Sequence, residues 1–110
     1  MKPEDIASQI SKMKERFAEL DVRLADPSVY ADQSGCRKLN RERQRLSGLC
    51  GLYDSWCRVL KELSENQQML HDEKDESLRS MIEADIVLLE AAAAKTEKDL
   101  TVALLPPDPN

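Results

Sequence analysis

Aromatic side chains, glycine and histidine are all scarce in this 110-residue chain, which has one Phe, one Trp, two Tyr, three Gly and one His. Sheets and barrels draw on aromatic and β-branched residues and on turn glycines, so the shortage argues against an all-β fold. No apolar run approaches the roughly 20 residues that cross a bilayer. The opening Met1-Lys2-Pro3-Glu4-Asp5 lacks the apolar stretch of a secretory signal. Cysteine is odd in number, at Cys36, Cys50 and Cys57, with no Cys-x-x-Cys pair. On one helix Cys50 and Cys57 would stand about 10 Å apart along the axis, beyond the roughly 7 Å between Cα atoms that a disulfide tolerates. They are also too widely spaced to share a zinc ion with His71. Three thiols and no leader make a cytoplasmic protein the expectation. No glycine-rich phosphate loop is present, because Gly48 and Gly51 sit inside an apolar helical pattern.

Charged residues, by contrast, make up 34% of the chain, and the abundant Glu, Lys, Arg, Leu and Ala are strong helix formers. The net charge of -5 is unevenly spread. Residues 1–60 hold 11 Lys and Arg against 9 Asp and Glu, while residues 61–110 hold 5 against 12. So acidic a chain does not wrap nucleic acid with its whole surface, although one end can still touch an anionic partner.

Three apolar stripes organise the sequence. Ile6, Ile10, Met13, Phe17, Leu20 and Leu24 alternate four and three apart, placing them on one face of a helix from about Pro3 to Ala25. Pro3 suits the first turn, and Asp26-Pro27 stops the helix because the residue before proline is pushed from helical angles. Asp26 and Pro27 then suit the cap and first position of a one-turn helix. Val29 and Tyr30 would fold that turn back onto the protein, and Gln33-Ser34-Gly35 reads as a loop. A second helix is expected from roughly Cys36 to Leu70, with Leu39, Leu46, Leu49, Tyr53, Trp56, Leu60, Leu63, Gln67 and Leu70 on its stripe. Tyr53 and Trp56 are therefore packing residues. Gly48 and Gly51 are its weak point, at about 1 kcal/mol each against Ala. Because the stripe keeps register through them, one continuous helix is expected, with the glycines allowing close approach of a neighbour. His71-Asp72-Glu73-Lys74 reads as a polar turn and Asp75 as the next N-cap. The third helix is expected from about Glu76 to Leu104, its face formed by Leu78, Met81, Ile82, Leu88, Leu89 and Ala92, with Asp85 as a flaw on that face.

Such helices cannot hide their stripes singly. The expected fold is all-α: an elongated antiparallel three-helix bundle, or coiled coil, with a short extra helical turn. Residues 1–105 form that domain, and 106–110, with prolines at 106, 107 and 109, begin a stiff linker. No catalytic, cofactor-binding or metal-binding residue stands out. His71 falls in a solvated turn, and the carboxylates fall on solvated helix faces with no pocket to shift their pKa. One constellation does stand out: Arg37, Lys38, Arg41, Arg43 and Arg45 lie within nine residues. Arg37, Arg41 and Arg45 are four apart and line up on a helix surface. Arg37, Lys38, Arg41 and Arg45 are thus candidate contacts for RNA phosphate or an acidic protein, set against an ordinary solvated face helped by Glu42.

Beyond the helices, short strings carry a resemblance. Leu24-Ala25-Asp26-Pro27-Ser28-Val29 followed by Ala31-Asp32 resembles the Leu-x-Asp-Pro…Asp stretch of class I peptide chain release factors. Arg37-Lys38-Leu39-Asn40-Arg41-Glu42 is similar to their Arg-x-Leu-x-(Lys/Arg)-Glu. Leu104-Leu105-Pro106-Pro107-Asp108-Pro109-Asn110 resembles the Leu-Leu-Pro-Lys-Asp-Pro-Asn that closes the N-terminal domain in the factor 1 branch of that family. The likeness covers nearly the whole chain in order and spacing. Cys36 departs from a usual aromatic, and Pro107 from a usual lysine. The resemblance implies translation termination by a longer protein that recognises UAA and UAG and triggers hydrolysis of peptidyl-tRNA. That family's Gly-Gly-Gln loop and Pro-x-Thr codon reader do not occur here, so no catalytic residue transfers and no enzyme is expected. The resemblance implies instead a ribosome-binding domain facing the stalk base, with ribosomal protein L11 and its rRNA, and communicating with the class II release factor GTPase. It implies neither membrane nor DNA binding, and a monomeric piece. The competing reading is a self-associating coiled-coil adaptor, in which the Ile6–Leu24 stripe pairs between chains.

Overall fold

A computed structural model describes residues 2–105 of the chain; the Pro-rich string expected as a linker, 106–110, lies outside the described residues. The described residues are all-helical, with three long helices and one short turn. Helix α1 spans Pro3–Ala25, a 3-10 turn spans Pro27–Ala31, α2 spans Gln33–Asp72 and α3 spans Glu76–Leu104. None of these helices is long and apolar enough to cross a membrane. The chain divides into two compact units, Met1–Gly51 and Leu52–Asn110, with the boundary inside α2.

The first unit is a helical hairpin. Pro3 opens α1, Glu4 and Asp5 occupy its positive first turn, and Asp26 ends it in an extended conformation. The apolar stripe behaves as its spacing predicts: Ile6, Ile10 and Leu20 are 0–2% exposed, and Met13, Phe17 and Leu24 are half-buried. The surface that an adaptor would need for pairing between chains is therefore already covered within one chain. Asp26 Oδ1 accepts from the Ser28 N–H at 3.0 Å and starts the 3-10 turn. Val29 is half-buried there, but Tyr30 is not folded inward: it is 57% exposed, with its hydroxyl donating to the Leu24 carbonyl at 2.7 Å. A polar tip with a carbonyl in reach has little to gain from burial.

The expected loop at Gln33-Ser34-Gly35 is instead the first turn of α2. Asp32 makes the difference, because its Oδ1 accepts from the Gly35 N–H at 3.0 Å, as an N-cap does. A Cβ on Gly35 would lie 2.5 Å from Asp32 Oδ2, so the cap and the glycine go together. From there α2 is helical without interruption through both glycines, as the unbroken stripe predicts. The close neighbour expected at Gly48 and Gly51 is not there, and a Cβ on either would meet nothing within 4 Å. Both glycines are exposed, so they lie off the face that packs.

The second unit is another hairpin, closed by three residues. His71 and Asp72 still belong to α2, and residues 73–75 make the turn. Arg79 Nη1 donates to the Leu70 and Glu73 carbonyls at 2.6 and 2.9 Å, satisfying the end of α2 from the start of α3. Asp75 Oδ1 accepts from Ser77 N and Leu78 N at 2.9 and 3.3 Å and caps α3 as expected. On α2 Trp56 is buried, whereas Leu60 is 38% exposed and the half-buried position falls to Asn66, not Gln67.

The face of α3 is shifted from the expected one. Ile82, Ile86, Leu100 and Leu104 are buried, while Leu78, Met81 and Leu88 are exposed and Ala92 and Leu89 half-buried. The buried run 82, 86, 89, 93, 96, 100 alternates four and three and passes beside Asp85, which stays exposed. The rival run 78, 81, 85, 88, 92 has the same period but would bury that unpaired carboxylate, at a cost of several kcal/mol. Two stability measurements check these assignments. Ile86→Ala should lower unfolding free energy by about 2–4 kcal/mol, and Leu88→Ala by less than about 0.5 kcal/mol. Gly48→Ala and Gly51→Ala should each raise it by about 0.5–1 kcal/mol in urea titrations.

Candidate functional site

The cation-rich segment lies in the first unit, on the opening turns of α2. Four residues rise about 6 Å along a helix, so Arg37 and Arg41 stand one turn apart on one face. Arg37, Lys38 and Arg41 are exposed, and among the described residues none of the three makes a side-chain hydrogen bond or ion pair. Arg45 is half-buried. Arg43 points to α1, where its Nε donates to Asp21 Oδ1 at 2.6 Å and its guanidinium lies 4.7 Å from the centre of the Phe17 ring. The hairpin thus divides the run of five: Arg43 binds α1, Arg45 is half-buried, and Arg37, Lys38 and Arg41 face solvent.

Glu42 is hydrogen-bonded to α1 and not to Arg37, Lys38 or Arg41. Arg16 on α1 grips it with two bonds, Nε to Oε1 at 2.7 Å and Nη2 to Oε2 at 3.1 Å. Residues 16 and 42 are each nine positions from the reversal, which is the register of an antiparallel pair. Hydrogen bonding from Arg16 holds the Glu42 carboxyl below the ordinary range against the opposing effect of burial, with smaller contributions from the charges of Arg16, Arg23 and Arg45. Arg16 is itself pushed up, first by its hydrogen bond to Glu42 and then by that to Glu19. Asp26, hydrogen-bonded to Ser28, is also held below the usual carboxylate range.

The structure adds a cation that the spacing of the run does not single out. Arg23, in the last turn of α1, is exposed and lines an open depression of about 430 Å³ together with Lys38, Val29, Cys36 and Leu39. A second, of about 410 Å³, is lined by Tyr30, Gln33, Cys36 and Arg37. In sequence Arg23 reads as a cation suited to a helix C-terminus. Only the reversal at residues 26–32 brings it beside the first turn of α2.

Elsewhere the groups with chemical potential stay dispersed. Cys36, Cys50 and Cys57 are free thiols, and among the described residues no three His, Cys, Asp or Glu side chains cluster as metal ligands. His71 is 82% exposed and lies 3.2 Å from Asp72 Oδ1, consistent with a solvated residue. Tyr53 and Trp56 pair at 6.1 Å between ring centres with Trp56 buried, as packing residues do.

The described residues are thus helical hairpins that carry exposed cations on the opening turns of α2. The chain belongs to the PCRF domain family, whose model matches residues 13–110. Among its relatives, a peptide chain release factor 1 of Geotalea uraniireducens is 37% identical over 102 residues, which cover 93% of this chain and 28% of that protein. The release factor 1 of Chlorobaculum tepidum is 35% identical over 100 residues, 91% of this chain and 28% of its own. That of Clostridium novyi is 36% identical over 95 residues, 86% of this chain and 27% of its own. The chain therefore spans under a third of the length of the curated relatives it matches. No solved structure matches it.

The Arg16–Glu42 grip has a pH signature. Because the folded carboxyl is depressed, its contribution is fully present above the unfolded value of about 4.3 and disappears as pH falls through the folded one. Thermal midpoints measured from pH 7 to pH 3 should fall at the acid end. Glu42→Gln should lower the midpoint at pH 7 and flatten that acid limb. An unchanged acid limb in the variant would assign the acid loss to other carboxylates.

Proposed function

We propose that this chain is the ribosome-engaging N-terminal domain of a class I peptide chain release factor acting in translation termination. The observation that carries the reading is the family match over residues 13–110, together with relatives that are release factors. In this reading residues 1–105 form the domain, and 106–110 begin the linker to the rest of the factor. The rest recognises UAA and UAG and triggers hydrolysis of peptidyl-tRNA, and this domain contributes binding and positioning but no reacting group. Its setting is the cytoplasm, its partners the ribosomal stalk base and the class II release factor GTPase.

The face assigned to that work is the one carrying Arg37, Lys38 and Arg41. Exposed cations with no acid partner supply a salt-dependent attraction to an anionic surface. Arg45, half-buried and contributing to the field at Glu42, stands at the edge of that face. Ribosome pelleting with the full-length factor tests the assignment. Replacing Arg37, Lys38 and Arg41 together by Glu should weaken binding by about tenfold or more at low salt, with a smaller loss at high salt. Equal binding of variant and parent at both salts would remove this strip from the ribosome contact.

A further inference from the structure

The surface at the start of α2 is more than a row of cations. Val29, Cys36 and Leu39, all half-buried, form the floor of the larger depression, and Cys36 continues into the smaller one beside Tyr30. The exposed Tyr30 is tethered through its hydroxyl to the Leu24 carbonyl, so it enters any contact with little rotamer freedom left to lose. Arg23 and Lys38 border the larger depression and Arg37 the smaller. Asp32 also lines the larger depression, its Oδ1 accepting from Gly35 N, while Asp26 accepts from Ser28 N and Glu42 from Arg16, so cations outnumber the acid around the two depressions. An apolar floor, a held aromatic and a rim of cations together have the anatomy of a protein-binding surface, where an apolar centre sits inside a polar rim rich in Arg. The phosphates through which a nucleic-acid backbone is met gain nothing from such a floor.

We propose that this surface docks a protein segment in which apolar side chains stand between aspartates or glutamates. The apolar groups enter over Val29, Cys36 and Leu39, and the carboxylates meet Arg23, Lys38 and Arg37. The proposal rests on the partner-binding reading above and specifies the chemistry of the partner.

Titration of the ¹⁵N-labelled 110-residue chain with three probes tests it without a ribosome, so its failure leaves the salt-dependent pelleting result standing. The probes are an acidic octapeptide with leucine and phenylalanine at its centre, the same peptide with both replaced by serine, and a uridine decamer. The first should shift amides within residues 28–39 and bind at least about fivefold more tightly than the serine peptide. Arg23→Gln combined with Lys38→Gln, both exposed and with helicity checked by circular dichroism, should weaken the first peptide by about fivefold. No shift with the apolar peptide, equal binding of the serine peptide, or equal or larger shifts of the same amides with the decamer would each overturn the proposal.

Discussion

A helix with one apolar stripe must cover that stripe with protein, and everything else in this chain follows from how that is done. Neither hairpin has β-structure, a metal cluster or a disulfide among the described residues to help it close. Closure rests on buried aliphatic side chains, Ile6, Ile10, Leu20, Leu46 and Leu49 in the first unit, and Ile82, Ile86, Leu100 and Leu104 with Trp56 in the second. Such burial is non-directional and scales with the area removed from water. It demands coverage without saying which partner helix provides it, and leaves polar contacts to set register.

Those polar contacts are placed at the reversals and across the hairpin. Asp26, Asp32 and Asp75 each accept from a backbone N–H just downstream, and Arg79 closes the end of α2. Arg16 with Glu42, and Arg43 with Asp21, tie α1 to α2. These pairs are more than a third exposed, so solvent screens them and their stabilising effect is modest. Their larger consequence is selective. They use the acid nearest the cation run and one of its arginines, and leave Arg37, Lys38 and Arg41 outward. The same contacts that align the hairpin therefore set the charge of the face proposed to meet a partner.

Much of this is legible in the order of the amino acids. The α1 stripe, its end at Asp26-Pro27 and the cap at Asp75 depend on local spacing and local hydrogen bonds, and they stand where those local rules put them. The face of α3 is harder to read because it carries two stripes of equal period lying side by side. The run through Ile82, Ile86, Leu89 and Leu100 holds four large apolar residues against three at Leu78, Met81 and Leu88, and the rival run would also desolvate Asp85. At the candidate site, Arg37, Lys38 and Arg41 can be picked out as a spaced run. Arg23 cannot, because its place depends on where residues 26–32 return the chain.

Periodicity and capping chemistry alone thus determined that the chain is helical, where its helices reverse and which segment is rich in cations, because each of these depends on residues within one or two turns of one another. Tertiary structure alone decided that Arg43 of the cation run turns to α1, and that Arg23 joins Lys38 beside an apolar floor. In the first hairpin those outcomes depend on residues some 15 to 26 positions apart, whose meeting is settled only when the hydrophobic stripes close.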